Sequence, residues 1–133
     1  MATVFQLMSK KSDGTNYTVA SSDDVLKALE IMAGANISAV MVTEKDKIIG
    51  IFTERDYTRK CEIKGLSAKG TPVRDLMTEK MLTVTPETSI DECMEMMKKY
   101  KIRHLPVLEN DSMVGMVSMR DVVDIILSDR ESA

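Results

Sequence analysis

At 133 residues, with 44 % apolar and 29 % charged side chains, the chain is long enough to bury one proper core and too short for two large domains. A net charge of −3 with interspersed signs excludes a surface built for non-specific nucleic-acid binding, and 4 % aromatic residues leave few platforms for base stacking. No apolar run approaches a membrane span, and Met1 to Phe5 show no basic stretch leading into an apolar core, so a cytoplasmic protein is expected.

In chain order, Val4-Phe5-Gln6-Leu7-Met8-Ser9 opens as a strap, followed by a turn over Lys10 to Asn16 whose Asp13-Gly14 favours a tight reversal. Thr18-Val19-Ala20 is a short extended segment. Ser22 or Asp23 can cap the helix that follows, with Val25, Leu26, Leu29 and Met32 on one face and Gly34 at its end. Ala39 to Val42 and Ile48 to Phe52 read as apolar strands joined by a hairpin turn over Glu44 to Lys47. Thr53 begins a second helix reaching about residue 63. A linker over residues 66–72 separates a first repeat, 1–65, from a second, 73–133. The second repeat predicts an extended Thr83-Val84-Thr85, a helix near 88–100, strands near 104–108 and 113–117, and a last helix from Met119 to Leu127.

These two halves are copies. Residues 18–56 align without a gap to residues 83–121, and eleven of the 39 positions are identical. Val4 to Ser9 also matches Val73 to Thr78, at an offset of 69 rather than 65, which assigns four additional residues to the turn at 10–16. Duplication of this length predicts two similar units packed about a pseudo-two-fold axis, with any function in the paired clefts. Met32, Met94 and Met97 fall at helical spacing inside apolar stripes and read as adaptable core. Cys61 and Cys93, far apart and in no metal spacing, read as reduced packing cysteines.

The same phrase closes the third strand of each copy: Thr53-Glu54-Arg55-Asp56 and Ser118-Met119-Arg120-Asp121. A hydroxyl followed three residues later by an acid is a helix capping box. The same terminus offers free N–H groups and a positive dipole end to an anion, and an aspartate one turn on can accept from both ribose hydroxyls. Both readings stand on the spacing alone.

Val73-x-x-Leu76-Met77-Thr78, Thr83-Val84-x-Pro86, Ile102-Arg103-His104-Leu105-Pro106-Val107 and Val114-Gly115-x-Val117-Ser118-x-x-Asp121 carry a family resemblance, echoed by Ile48-Ile49-Gly50-Ile51-Phe52-Thr53-x-x-Asp56. The chain resembles a tandem pair of cystathionine-β-synthase (CBS) domains, a Bateman module. That resemblance implies an α/β fold of two βαββα repeats and a regulatory module binding AMP, ADP, ATP, NAD or S-adenosylmethionine in the clefts between repeats. It assigns phosphate and ribose contacts to Thr53, Asp56, Ser118 and Asp121, and places Arg103 and His104 among the basic phosphate contacts. Arg103, with Lys98, Lys99 and Lys101, equally complements the end of the preceding helix. Copy one has Ser38-Ala39 and Met41 in place of Arg103-His104 and Pro106, so one well-formed site and one altered site are expected.

Thr18, Val19 and Ile37, and Thr83, Val84 and Ile102, are candidates for the adenine walls, with core packing the alternative for the apolar four. Arg55 and Arg120 read as phosphate contacts or salt-bridge partners. Arg59, Lys60 and Lys64 can reach a longer phosphate chain or sit in solvent. The resemblance further implies a homodimer, and with no output domain in these residues the regulated partner is a separate protein. One histidine, no phosphate loop and no metal spacing disfavour an enzyme. A partner-docking module with ligand-free clefts is the alternative function.

Overall fold

Apolar side chains at Val25, Ala28 and Met32 recur every three or four residues, which is why this stretch folds as a helix with one buried face. In the computed structural model, which describes residues 2–10 and 17–132 with side chains through 128, the elements follow the two copies. They are α1 (Val4–Lys10), β1 (Thr18–Ala20), α2 (Val25–Ala35), β2 (Ala39–Glu44), β3 (Lys47–Thr53), α3 (Glu54–Tyr57), α4 (Ile90–Tyr100), β4 (His104–Glu109), β5 (Ser112–Ser118) and α5 (Met119–Ser132). A π-helical turn, Thr58–Glu62, extends α3, and a 3₁₀ turn, Val73–Asp75, follows the linker. The turn expected over residues 10–16 lies, apart from Lys10, outside the described residues.

The chain divides into two compact units, one of residues 17–81 and one of residues 1–16 with 82–133. In the first, β1 runs parallel to β2 and β2 antiparallel to β3. Its core holds Val19, Val25, Ala28, Met32, Val40, Val42, Phe52 and Cys61, closed by Val73 and Leu76. In the second, β4 pairs antiparallel with β5. Its core holds Val84, Ile90, Cys93, Met97, Leu105, Val107, Val117, Val122 and Ile125, closed by Val4 and Leu7 of α1. Val4 and Leu7 match Val73 and Leu76 in sequence, so each strap covers the repeat that its own sequence order would give to the other. Each buried Val or Leu contributes roughly 1.5–3 kcal/mol relative to an exposed one, enough to hold such a strap in place.

Where the structure departs from sequence expectation, the reasons are local. Asp24, not Ser22 or Asp23, caps α2: its Oδ1 accepts from the Lys27 N–H at 3.0 Å, while Asp23 Oδ2 accepts from the Ala20 N–H. The helix runs past Gly34 and stops at Asn36, whose left-handed φ of 56° directs its N–H back to the Met32 carbonyl. Asparagine tolerates this conformation better than most side chains. Residues 83–85 form a single bridge, Val84 to Val107, in place of a strand. In the first unit the Met41 N–H donates to the Tyr17 carbonyl at 3.1 Å; the matching Pro106 has no N–H to give, and only its carbonyl, accepting from the Val84 N–H, remains. The straps differ too, Val4–Lys10 being a full helix and Val73–Asp75 a 3₁₀ turn that leads into an antiparallel bridge from Thr78 to Ile51.

Both hairpins close through two residues at positive φ, Lys45 and Asp46 in one and Asn110 and Asp111 in the other. Such a loop matches the natural twist of the strands it joins. A strap methionine then lies over the second-strand glycine in each unit. A methyl at Gly50 would stand 2.6 Å from Met77 Sδ and 3.0 Å from the Thr78 carbonyl, whereas one at Gly115 meets only the Met8 side chain, at 3.1 Å and beyond. Gly50→Ala is therefore expected to cost about 1–3 kcal/mol in urea unfolding, because backbone must move. Gly115→Ala is expected to cost less, since a flexible methionine can give way.

Both cysteines are buried and unpaired. Burial, assisted by the Glu92 charge, pushes the Cys93 thiol from 9.0 up to about 11. Burial and Glu62 raise Cys61 in the same direction. A thiol harder to ionise when folded stabilises the fold fully below its unfolded value, and that contribution is lost as pH climbs through the folded one. Urea midpoints are thus expected to fall between pH 9 and about 11, and less steeply in Cys93→Ala. Equal slopes in both proteins would count against this assignment.

Candidate functional site

The hairpin register decides which side chains meet at each helix start. In the first unit Ala39 stands opposite Thr53, and the Glu54 N–H donates to the Ser38 carbonyl at 3.1 Å. In the second unit His104 stands opposite Ser118, and the Met119 N–H donates to the Arg103 carbonyl at 2.8 Å. Antiparallel pairing thus carries the start of the first hairpin strand to the N-terminus of the following helix in both copies. The two turns inherit different neighbours: a small, uncharged Ser38-Ala39 in one, and Arg103-His104 in the other.

Both phrases fold as the reciprocal cap that their spacing allows. Thr53 Oγ1 accepts from the Asp56 N–H at 3.1 Å while Asp56 Oδ2 accepts from the Thr53 N–H at 3.0 Å. Ser118 Oγ accepts from the Asp121 N–H at 3.1 Å while Asp121 Oδ2 accepts from the Ser118 N–H at 2.9 Å. Two otherwise orphaned helix-start amides are satisfied each time.

Beyond that shared frame the turns diverge. Asp56 is only 8 % exposed, and its carboxylate also receives the Thr53 hydroxyl at 3.2 Å and the Thr78 hydroxyl at 3.0 Å. The Lys60 ammonium lies 3.0 Å from Asp56 Oδ1 and donates to the Leu76 carbonyl at 3.1 Å and to Thr78 Oγ1 at 3.3 Å. Asp121 is half-buried, at the head of α5, and the position that matches Lys60 is Ile125, packed in its unit's core. Sequence reading missed this use of Thr78. The signal that could have found the pair was the i,i+4 spacing of Asp56 and Lys60 on one helical face.

The remaining candidates fall around these two turns. Thr18 is exposed on β1, Val19 is within the core, and Ile37 packs against that core from the loop before β2. Thr83 is exposed, Val84 lies in the other core with Ile102 packed against it, and Pro106 is buried on β4. Arg103 is exposed and His104 half-buried, while Arg55 and Arg120 are exposed in the first turns of α3 and α5. The parallel bridge from Val84 to Val107 sets the 83–84 segment along β4, close in register to His104. In the second unit a hydroxyl, a carboxylate, a guanidinium-bearing residue and an imidazole are therefore gathered at the start of a long helix. Among the described residues no three His, Cys, Asp or Glu side chains cluster as metal ligands, and no helix is long and apolar enough to cross a membrane.

Comparison with known proteins agrees with this architecture. The sequence model of the CBS domain matches twice, at residues 4–62 and 73–128. A mitochondrial CBS domain-containing protein of Arabidopsis thaliana, CBSX3, is 40 % identical over 129 residues, covering 93 % of this chain; this chain spans 63 % of that relative's length. A solved protein with CBS domains from Burkholderia ambifaria superposes with a TM-score of 0.93 at 42 % identity, over 96 % of each chain. A CBS-domain protein from Agrobacterium tumefaciens gives 0.87 at 29 % identity, over 94 % of this chain and 99 % of that one. With a duplicated helix–hairpin–helix unit and two matches that together span most of its length, the chain belongs to the CBS-domain family.

Proposed function

We propose that the chain is a regulatory CBS-pair module that binds an adenine nucleotide at the Ser118–Asp121 turn and thereby controls a separate protein. AMP is the first choice, with ADP, ATP, NAD and S-adenosylmethionine sharing the adenosine moiety. The observation that carries this reading is the β4–β5 register, which sets Arg103 and His104 beside Ser118 and Asp121 at the N-terminus of α5. Each group has a complementary part of a nucleotide. The α5 amide end and the Arg103 guanidinium suit phosphate oxygens, and the Asp121 carboxylate suits a ribose diol. Ile102, Pro106 and the Thr83-Val84 segment supply an apolar wall with backbone groups for the adenine edge.

Control of a partner then requires only that the ligand favour one arrangement of the chain over another, since differential affinity is what moves an equilibrium. Self-association as a homodimer belongs to this proposal through the family resemblance. Two unpaired, buried thiols support a cytoplasmic setting; the Arabidopsis relative is described as mitochondrial. Thr53, Asp56, Arg55 and Lys60 belong to the matching turn of the first unit.

A nucleotide at a hundredfold excess over its dissociation constant is expected to add about 2.7 kcal/mol to stability, read as a rise in Tm. Asp121→Ala is expected to remove that rise, and Arg103→Ala to weaken binding roughly tenfold or more by deleting a charge-assisted hydrogen bond. No Tm change with any of the five adenosine ligands would favour a ligand-free partner-docking module instead.

A further inference from the structure

We infer that the loop between the repeats, residues 66–72, is a fixed clasp on the head of α2, and that residues 79–83 are the hinge on which a rearrangement of the chain turns. Only what drives the hinge rests on the nucleotide reading above; the clasp and the hinge themselves rest on backbone hydrogen bonds.

The first amides of a helix have no partner within it. In α2 they are satisfied largely by the loop: the Val25 N–H donates to the Thr71 carbonyl at 2.9 Å and the Leu26 N–H to the Ala68 carbonyl at 3.0 Å. The Lys27 N–H completes the set on Asp24 Oδ1, at 3.0 Å. The loop is held in return. The Gly70 N–H donates to Asp24 Oδ2 at 3.2 Å, the Val73 N–H to the Asp23 carbonyl at 2.8 Å and the Arg74 N–H to the Ser21 carbonyl at 3.2 Å. Within it, the Thr71 hydroxyl donates to the Ser67 carbonyl at 2.6 Å, and Gly70 takes a φ of 93° that a side chain would strain. Asp24 thus acts twice, one oxygen capping α2 and the other tying the loop. Swinging this loop aside would strip α2 of two amide acceptors, so its glycines and lysines do not make it a flexible tether.

The freedom lies elsewhere. The chain passes from one compact unit to the other at residues 16–17 and 81–82. Residues 11–16, beside the first passage, lie outside the described ones. The second passage is clamped on each side within its own unit. Thr78 exchanges two bonds with Ile51, at 2.8 and 3.0 Å. The Val84 N–H donates to the Pro106 carbonyl at 3.0 Å, and its carbonyl accepts from the Leu108 N–H at 2.9 Å. Between these clamps, the one backbone hydrogen bond among the described residues is local, from the Met81 N–H to the Glu79 carbonyl at 3.0 Å. Glu79, Lys80 and Thr83 are exposed. A few sparsely bonded residues between two anchored ones can change φ and ψ at the least cost, which is what a hinge requires.

The test is amide hydrogen exchange by NMR on the full chain, first without ligand. The Val25, Leu26 and Val73 amides are expected to exchange roughly a hundredfold or more below unprotected rates, and the Lys80, Leu82 and Thr83 amides within about tenfold of them. Asp24→Ala is expected to speed exchange at Gly70 and Leu26 roughly tenfold by removing cap and tie together, while Asp24→Asn, which keeps a capping oxygen, gives a smaller change. Val25 and Leu26 exchanging as fast as Lys80, or an Asp24→Ala protein with unchanged Gly70 and Leu26, overturns the clasp. Protection at Lys80, Leu82 and Thr83 overturns the hinge. Saturating AMP is then expected to shift those three amides and to leave Val25, Leu26 and Gly70 within line width. Shifts at the clasp, or shifts confined to the Ser118–Asp121 turn, overturn the assignment of the rearrangement to 79–83. If AMP shifts no amide at all, the nucleotide reading fails, and the exchange pattern without ligand still decides clasp and hinge.

Discussion

The two-residue hairpin turn is the constraint on which both capping turns depend. Lys45-Asp46 and Asn110-Asp111 hold left-handed backbone at the tip, and that choice fixes which residue faces which along the whole ladder. A slip of one residue would reverse every side chain between core and solvent. It would also part Ser118 from His104 and Thr53 from Ala39, the contacts that define the head of each following helix. The repeated bulge, between Val42 and Thr43 and between Val107 and Leu108, falls at the same place in each copy. The geometry of the two turns is therefore inherited from the hairpins, and chemistry is added by the residues that the register happens to bring there.

With a common frame, differences between the copies come from a few substitutions. Arg103-His104 against Ser38-Ala39 changes charge beside the turn, and Ile125 against Lys60 changes what stands one helical turn beyond the aspartate. A single proline alters the sheet as well: Pro106 cannot donate where Met41 does, and a three-stranded sheet in one unit becomes a two-stranded sheet with a lone bridge in the other. Duplication preserved the scaffold while letting one carboxylate turn inward as a structural tie and leaving the other half-exposed at the head of a longer helix.

Most of this scaffold was legible in the sequence because periodicity and repeat length report burial directly. The 65-residue offset located α2, α4, both hairpins and both capping phrases, and Met32 and Met97 lie in the cores where helical spacing put them. The cap of α2 was not legible, since Ser22, Asp23 and Asp24 all suit the role and only backbone geometry distinguishes them. The C-terminal stop at Asn36 was hidden by the more obvious Gly34. The segment at 83–85 looked as strand-like as 18–20, and the reason it is not lies in residue 106, far along the chain. The knot around Asp56 draws on Thr78, contributed by the strap, so local spacing disclosed only its Lys60 half.

The crossed straps have a consequence for how the molecule is made. Residues 17–81 form one uninterrupted stretch that carries its own closing segment, so everything this unit needs has been synthesised once Met81 is added. The other unit is discontinuous: α1 precedes the central block, yet the β4, β5 and α5 side chains that bury Val4 and Leu7 follow it. Such distant partners impose a large loop-closure entropy and slow assembly. Folding thus acquires an order, with the continuous block of residues 17–81 able to mature by itself and the discontinuous unit completed only when α5 meets α1.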